Sequence, residues 1–181
     1  KRPAPVVYAA WNRDETVRRD STSGGVFSLL AEDCLESGGV VFGAAFDSRM
    51  RLRHVACFQK EELRRLRGAK YVQSDLGDTY REIRELLKTR PVLFSGTPCQ
   101  VDGLYRFLGG RPENLTTCDL VCTGVPSPGV WESFVQDVEK SRKPLQAVRF
   151  RNKVAGWKDS HFTLLYTDGS ADSAPLFRTE Y

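Results

Sequence analysis

Two cysteines stand where a buried strand should end and a small-residue turn should begin, and both are candidates for chemistry. Cys99 lies in FSGTPCQVDGL and Cys122 in CDLVCTGVPSP. Thr97, Pro98 and Gln100 frame Cys99 as a capping box with proline at the first helical position. The positive end of a helix dipole stabilises a thiolate there. Cys99 is therefore predicted to be functional, as a nucleophile or as a ligand of a metal or cluster, rather than a filler at a helix start.

Cys122 resembles Cys99 in its position. If residues 115–122 form one strand, Cys118 and Cys122 point to the same side of the sheet, and Cys122 ends that strand at a turn. Two thiols at neighbouring strand ends could share a cluster, so both Cys99 and Cys122 are candidate metal ligands. No CxxC pair is present, which argues against a zinc finger or a complete ferredoxin motif. The remaining cysteines are predicted to lie in the core: Cys34, Cys57 and Cys118.

A cysteine–histidine nucleophile pair is the competing interpretation. Only His54 and His161 are available for it. His54 falls inside a predicted strand and His161 at the start of a late hairpin, and neither belongs to a recognisable catalytic pattern. The metal-binding spacings HxxxH and HExxH are absent. A hydrolytic or acyl-transfer site is therefore an alternative without support.

Two polar segments have the composition of ligand-binding loops. STSGG (21–25) precedes a helix, whose free backbone N–H groups attract phosphate or the electron-rich edge of a ring, and its glycines permit close approach. GAKYVQS (68–74) carries Lys70, a point charge for phosphate, and Tyr71, a stacking platform. A plain helix cap and an ordinary surface loop are the alternative interpretations.

A basic run, KEELRRLRGAK, contributes Arg64, Arg65 and Arg67. A patch of this size can meet phosphates. Charge runs are more often solvated helix faces, stabilised here by pairs such as Glu61 with Arg65. We therefore expect the arginines to form a solvated face.

Length and composition limit the class of protein. The chain has 181 residues, of which 40% are hydrophobic and 28% are charged, and its formal net charge is +4. One soluble domain with a real core is expected. No apolar run reaches the roughly 20 residues of a membrane span, and no signal peptide is recognisable. The odd number of cysteines, 5, argues against a secreted disulfide framework and favours a reducing cytoplasm.

Hydrophobic periodicity predicts the elements that must position these residues. Helices are predicted at 26–37, 60–67, 78–89, 98–108 and 129–142, and strands at 6–11, 40–46, 52–58, 91–95, 115–122, 147–153 and from 161 onward. This order predicts an α/β fold with a mixed, mostly parallel sheet, helices on both faces and a C-terminal antiparallel hairpin at Asp168–Gly169. Open α/β sheets bind ligands at the carboxyl ends of their strands, where Cys99 and Cys122 are predicted to lie.

Four stretches together closely resemble the beta-subunit family of coenzyme F420 hydrogenases and dehydrogenases: STSGGVFSLLAE, GAKYVQSDLGDTYREI, VLFSGTPCQVDGL and DLVCTGVPSP. FRNKVAGWKDSHFTLLYTDG fits the same family, so the resemblance covers nearly the whole chain. Members are iron–sulfur flavoproteins that bind FAD and relay electrons between 4Fe-4S clusters and a hydride carrier, such as the deazaflavin coenzyme F420. The resemblance implies that residues 1–181 are a single flavin-binding core domain of a longer iron–sulfur flavoprotein.

The resemblance also implies roles for individual residues. The residues implied to bind FAD are Ser23, Gly24, Gly25, Val26, Lys70, Tyr71, Gln73, Ser74 and Thr97. Cys99 and Cys122 are implied to ligate a 4Fe-4S cluster. The implied partners are redox proteins or subunits and a deazaflavin or other small hydride acceptor, whereas neither nucleic acid nor a membrane span is expected.

The chain departs from the family pattern in three places. An N-terminal ferredoxin-like segment with CxxC-type cysteines and a cysteine-containing C-terminal segment are absent, and the family's CHG motif reads Cys122–Thr123–Gly124. Two candidate thiolates cannot complete a four-ligand cluster, so we expect a core fragment with an incomplete ligand set. Two alternative functions stay open, a non-catalytic docking module of a redox complex and a cysteine-dependent transferase that uses Cys99.

Overall fold

The computed structural model describes residues 4–154 and 156–176. The helices are α1 (Glu15–Asp20), α2 (Val26–Glu36), α3 (Thr79–Leu86), α4 (Pro98–Leu108) and α5 (Pro128–Ser141), with a 3-10 helix at Lys60–Arg65. The strands are β1 (Val40–Phe46), β2 (Leu52–Cys57), β3 (Val92–Gly96), β4 (Leu115–Asp119), β5 (Leu145–Lys153), β6 (Ser160–Tyr166) and β7 (Ala171–Pro175).

Four strands form a mixed sheet in the order β2-β1-β3-β4. β1 is parallel to β3 and β3 to β4, whereas β2 is antiparallel to β1. The predicted mixed, mostly parallel sheet is thereby confirmed. The carboxyl ends of β3 and β4 lie side by side, with Gly96 paired opposite Asp119, so the segments that follow these two strands leave the sheet at the same edge.

Helices cover both faces of this sheet, as the sequence predicted. Ile83 of α3 and Leu104 of α4 pack with Phe94 on one face, whereas Ala31 of α2 packs with Leu93 on the other. Consecutive residues of a strand point to opposite faces. The neighbours Leu93 and Phe94 therefore serve two separate cores, which explains why this strand is apolar without alternation.

The last three strands form a second, antiparallel sheet in the order β5-β6-β7. The predicted turn between β6 and β7 is confirmed, and Gly169 adopts a φ of 84° there. Helix α5 packs on this sheet through Trp131, whose indole N–H donates to the Met50 carbonyl at 2.6 Å. Because Met50 follows β1, this hydrogen bond and the shared core around it join the second sheet to the first.

The prediction of a strand at residues 6–11 is wrong. This segment forms no strand, and Val6, Val7 and Tyr8 are among the most exposed apolar side chains of the described residues. In the sheet order, β1 lies between β2 and β3, so both of its edges are taken by other strands. The segment pairs with neither sheet, and Asn12 N–H, just after it, donates to the Gly24 carbonyl instead. Local apolar composition does not show whether a segment will pair with a strand. The charged link that follows contains α1, which the sequence did not indicate.

The strand predicted at 115–122 ends at Asp119. Its partner β3 ends at Gly96, and the last ladder-like hydrogen bond runs from Leu120 N–H to the Gly96 carbonyl at 3.1 Å. The chain beyond has no strand beside it and leaves the sheet as a loop. Cys118 and Cys122 are therefore not on one strand, and the prediction that strand alternation aligns them is wrong.

Two further comparisons with the sequence concern helices. The helix predicted at 60–67 is present, but it is of the 3-10 type and ends at Arg65. Short 3-10 segments are common connectors, and hydrophobic spacing alone does not distinguish them from a turn of α-helix. Within the described ranges, no helix combines the length and apolar character that crossing a membrane requires.

Candidate functional site

The loop 68–74 joins the segments that the sequence analysis singled out. Its Ala69 N–H donates to Thr22 Oγ1 at 2.6 Å, which ties the loop to the 21–25 segment. Its Gln73 N–H donates to the Pro126 carbonyl at 3.2 Å, in the loop that carries Cys122. Ser74 Oγ accepts from Gln100 Nε2 at 2.9 Å, at the start of α4. Tertiary structure therefore brings all four stretches to one place.

Lys70 holds its own loop rather than presenting a free charge. Its ammonium donates to the carbonyls of Leu66, Arg67 and Gly68 at 3.0, 3.0 and 3.2 Å. An ammonium has three donors, so all of them are occupied by backbone. Burial lowers the pKa of Lys70 to about 8, and the group is still mostly protonated at pH 7. Its positive charge remains close to the adjacent cleft, but its protons are already used.

The glycines of the 21–25 segment have a packing role. A Cβ at Gly24 would stand 3.0 Å from the Ala10 carbonyl oxygen, and Asn12 N–H donates to the Gly24 carbonyl at 2.7 Å. Gly25 is the N-cap of α2, with a φ of 77° that disfavours other residues. The room beside both glycines is taken by residues 10–12. Val26, the first residue of α2, is half-buried.

Lys153 of β5 fixes the same segment from the second sheet. Its ammonium donates to the Ser23 carbonyl at 2.8 Å and to the Arg18 carbonyl at 2.9 Å. Burial, together with the nearby charges of Arg151 and Arg18, lowers the pKa of Lys153. Ser23 is otherwise exposed. Lys153, the last residue of the FRNK motif, thus binds the 21–25 segment through a backbone carbonyl.

A buried histidine connects the loop 68–74 to the sheet. His54 Nε2 lies 3.0 Å from the Ser95 carbonyl oxygen, and His54 Nδ1 lies 3.0 Å from Ser74 Oγ. A carbonyl can only accept, so Nε2 carries the proton and Nδ1 accepts from the Ser74 hydroxyl. Desolvation, with a contribution from the charge of Lys70, lowers the pKa of His54. The ring is therefore neutral at pH 7, and it stacks on Phe94.

The predicted capping box at the start of α4 is confirmed. The Thr97 side chain accepts from Gln100 N–H, and Gln100 Oε1 accepts from Thr97 N–H at 3.0 Å. Cys99 is exposed, and its sulfur lies 3.1 Å from Thr97 Oγ1. His54 spends both ring nitrogens on Ser74 and Ser95, so it is not the base of a nucleophile pair with Cys99.

Cys99 and Cys122 are the exposed thiols of the chain. Because these two cysteines follow the adjacent parallel strands β3 and β4, both lie just beyond the same edge of the sheet. Burial raises the pKa of each of the other thiols, Cys34, Cys57 and Cys118. Among the described residues, which include every cysteine, no three candidate ligands come together as a metal site. A 4Fe-4S cluster is held by four thiolates, and the described residues do not bring four thiols together.

A cleft of about 410 Å³ opens next to Lys70, between the 3-10 helix and β5. Phe46, Val148 and Phe150 give it an apolar side. Tyr71 stands near this side, edge-on to Phe150 with ring centroids 5.5 Å apart. The remaining lining is strongly basic, and its cationic residues are Arg19, Arg64, Arg65, Arg67, Lys70, Arg149 and Arg151. Of the predicted cofactor-binding residues, only Lys70 lines this cleft.

The arginines of the cleft are what sequence reasoning missed. Arg64, Arg65 and Arg67 belong to a run that we expected to be a solvated face, and the expected pair of Glu61 with Arg65 does not form among the described residues. On the other wall, Arg149 and Arg151 belong to β5, whose register shifts between Arg149 and Asn152. Strand alternation alone therefore does not show which face the two arginines share. Only the tertiary structure reveals that the two runs face one cleft.

Two family models match the sequence, one after the other. Both describe the beta subunit of coenzyme F420 hydrogenase/dehydrogenase: residues 7–79 match the model of its N-terminal part, and residues 89–180 match the model of its C-terminal part. Among curated proteins there is no match. The second model alone spans half of the chain.

A solved structure of the F420-reducing NiFe hydrogenase complex from Methanosarcina barkeri, derivatised with xenon, contains a chain of the same fold. The TM-score is 0.62 at 19% sequence identity, and the match covers 92% of this chain but 59% of that one. At this identity the likeness concerns the fold. Taken with the two family models, it shows that the chain belongs to the coenzyme F420 hydrogenase/dehydrogenase beta subunit family, whose members are parts of oxidoreductases.

Proposed function

We propose that the chain is the flavin-binding core of an oxidoreductase, which relays electrons between 4Fe-4S clusters and a hydride carrier such as coenzyme F420. The observation that carries the proposal is the convergence of the segments 21–25, 97–100 and 120–126 on the loop 68–74, beside the basic cleft. The chain spans 59% of the Methanosarcina barkeri chain, which belongs to an F420-reducing complex. The use of coenzyme F420 here is part of the proposal.

The cleft has a lining that suits part of a flavin dinucleotide. Its volume of about 410 Å³ lies within the usual range of ligand cavities. Phe46 and Val148 supply an apolar side for a ring system, and Tyr71, which is exposed, offers an aromatic surface beside it. A bound flavin would exchange a hydride with the hydride carrier and single electrons with the clusters.

The chain's own contribution is to hold the loop 68–74 in one conformation. The hydrogen bonds from Ala69 to Thr22 and from Gln73 to Pro126, with the three from Lys70, fix both ends of the loop. A ligand that meets a fixed loop does not have to order it on binding, which improves affinity. Ser23, Gly24 and Gly25 support the same arrangement from the neighbouring segment.

The residues of this chain do not fit a complete 4Fe-4S cluster. Cys99 and Cys122 are two exposed thiols, and the other cysteines are not grouped with them as a metal site. A cluster at this edge needs thiolates from another segment or protein. Cys99 and Cys122 lie at the sheet edge next to the loop 68–74. This position is consistent with electrons entering on that side of the molecule.

Titration of the 181-residue protein with FAD tests the proposal. We expect saturable binding, which the quenching of flavin fluorescence measures. Thr22→Val removes the acceptor of the Ala69 hydrogen bond, and the loss of about 1 kcal/mol should weaken binding about fivefold. Thr116→Val, at an exposed position of β4, is the matched control. Failure of the folded protein to bind any flavin would contradict the proposal.

A docking module is the second candidate, because apolar side chains surround Cys122 at the surface. Leu120 is 54% exposed and Val121 is 101% exposed, and a partner would cover such residues. A protein that binds a redox partner but no flavin would favour this function. A transferase that uses Cys99 is less favoured, because the hydrogen-bond partner described for its sulfur is the Thr97 hydroxyl and not a histidine or carboxylate. Turnover without flavin that alkylation of Cys99 abolishes would support it.

A further inference from the structure

We propose that the basic cleft is a diphosphate-binding site, in which arginines of the 3-10 helix and of β5 hold the two adjacent phosphates of a dinucleotide from opposite walls. This inference deepens the proposed function, since FAD contains such a diphosphate. It assigns the phosphates to Arg64, Arg65 and Arg151, and not to Lys70 or to the glycines of the 21–25 segment.

The charge of the cleft is the first support. Seven of its lining residues are lysine or arginine and two are aspartate, whereas the whole chain has a net charge of +4. The cleft thus gathers an excess of positive charge larger than that of the entire protein. Like charges crowded into a concave site repel one another, and an anion relieves that repulsion and is drawn to the site.

The second support is that several of these arginines have no partner. Arg64 and Arg65 form no ion pair with any residue in the described ranges. Across the cleft, Arg151 Nε is buried and lacks a hydrogen-bond partner in the described structure. A buried donor without a partner is costly, and a guanidinium presents paired donors that match phosphate oxygens. These three groups are available to a ligand, as is Arg19, which is exposed and has no ion pair in the described ranges.

Three of the other four cations of the cleft are already engaged. Arg67 donates to Ser28 Oγ at 3.0 Å and lies 3.9 Å from Glu32. Lys70 gives all its protons to backbone carbonyls. Arg149 lies 3.7 Å from Asp20. These groups and the exposed Arg19 raise the positive potential of the cleft. We assign the direct contacts with the phosphates to Arg64 and Arg65 on one wall and to Arg151 on the other.

The third support is the apolar side of the cleft. Phe46 and Val148, both half-buried, lie next to the basic walls. An inorganic anion would leave this surface wet, whereas a base or ring attached to the diphosphate would cover it. The combination favours a nucleotide diphosphate over a simple anion. Two ligands share this chemistry, the ADP half of FAD and free ADP.

Calorimetric titration of the 181-residue protein with four probes tests the inference: FAD, ADP, FMN and riboflavin. We expect FAD and ADP to bind, FMN to bind about tenfold more weakly than FAD, and riboflavin not to bind measurably. The affinity for FAD and ADP should fall as salt is raised, because the attraction is between charges.

Two cleft variants and one control locate the site. Arg151→Met and the double variant Arg64→Gln/Arg65→Gln should each weaken FAD and ADP binding about tenfold or more, because each removes charge-assisted contacts. Arg106→Gln, on the exposed face of α4, should leave both affinities unchanged. Circular dichroism and thermal unfolding establish that each variant is folded. If one cleft variant does not fold, the other still tests the site.

The outcomes separate this inference from the proposed function. FAD binding that both folded cleft variants retain at full affinity would overturn the diphosphate site and leave the flavin proposal standing. Binding of FMN as tight as that of FAD would overturn the diphosphate inference in the same way. Arginine-dependent binding of ADP without binding of FAD would support the site and contradict the flavin proposal. Binding of neither ADP nor FAD would overturn the inference.

Discussion

Gln100 Nε2 donates a hydrogen bond of 2.9 Å to Ser74 Oγ, and this contact joins the start of α4 to the loop 68–74. The same Gln100 side chain accepts from Thr97 N–H, so one amide closes the capping box beside Cys99 and anchors the loop. Ser74 in turn contacts His54. The chain of contacts thus runs from the interior of the sheet to the edge where both exposed thiols lie.

Gln100→Ala should lower the free energy of unfolding by about 1–2 kcal/mol, because a cap contact and a partly buried hydrogen bond are lost together. Urea denaturation measures the change. Gln136→Ala, at an exposed position of α5, should change stability by less than about 0.5 kcal/mol. Equal effects of the two substitutions would show that Gln100 does not connect the two segments.

Because of His54, we expect the free energy of unfolding to depend on pH below about 6.5. The ordinary pKa of histidine is 6.5, and burial lowers the pKa of His54 in the folded state. The unfolded chain therefore binds the proton first as the pH falls, and the free energy of unfolding should decrease below pH 6.5. Carboxylates with lowered pKa values, such as Asp47, act at more acidic pH. Denaturant unfolding at pH 7.5, 6.5 and 5.5 measures the trend.

His54→Gln removes the titrating ring and keeps the capacity for hydrogen bonding. The decrease of stability between pH 7.5 and 5.5 should become smaller in this variant. His161→Gln is the control, since this half-buried histidine lies in the second sheet beside Asp159, away from the loop 68–74. A pH dependence that is unchanged in His54→Gln would assign the effect to another group.

Lys70→Met should lower the free energy of unfolding by about 2 kcal/mol, because three carbonyls lose a charged donor. Lys70→Arg should recover little of this, since a planar guanidinium cannot replace a compact ammonium at three converging carbonyls. Lys88→Met, at an exposed position, should be close to neutral. If Lys70→Met were as stable as the parent, the ammonium would not hold the turn.

Iodoacetamide should label Cys99 and Cys122 first. Both thiols are exposed, whereas burial raises the pKa of Cys57 to about 11 and also raises the pKa values of Cys34 and Cys118. Alkylation requires the thiolate and access to solvent. Peptide mass spectrometry of protein labelled for short times at pH 7.5 measures the order. Early labelling of Cys57 or Cys118 would contradict the burial found here.

The sequence determined the features that depend on short-range pattern. The strands β1 and β3, the capping box at Thr97, the glycine that ends α4 and the turn at Asp168–Gly169 are all local, because spacing and turn chemistry act within a few residues. The motif residues around Cys99 and Cys122 also identified the family, which the comparisons confirm. The assignment of individual cofactor ligands stays a prediction.

Tertiary structure alone decided which groups are free to bind. Lysine is a residue type that commonly binds phosphate, yet in the folded chain the Lys70 ammonium donates to three backbone carbonyls. Arg64 and Arg151 are far apart in sequence, and packing brings them to one cleft. Residues 6–11 have strand composition but pair with neither sheet. Hydrogen-bond satisfaction and charge proximity depend on contacts between distant segments, and a one-dimensional pattern does not contain those contacts.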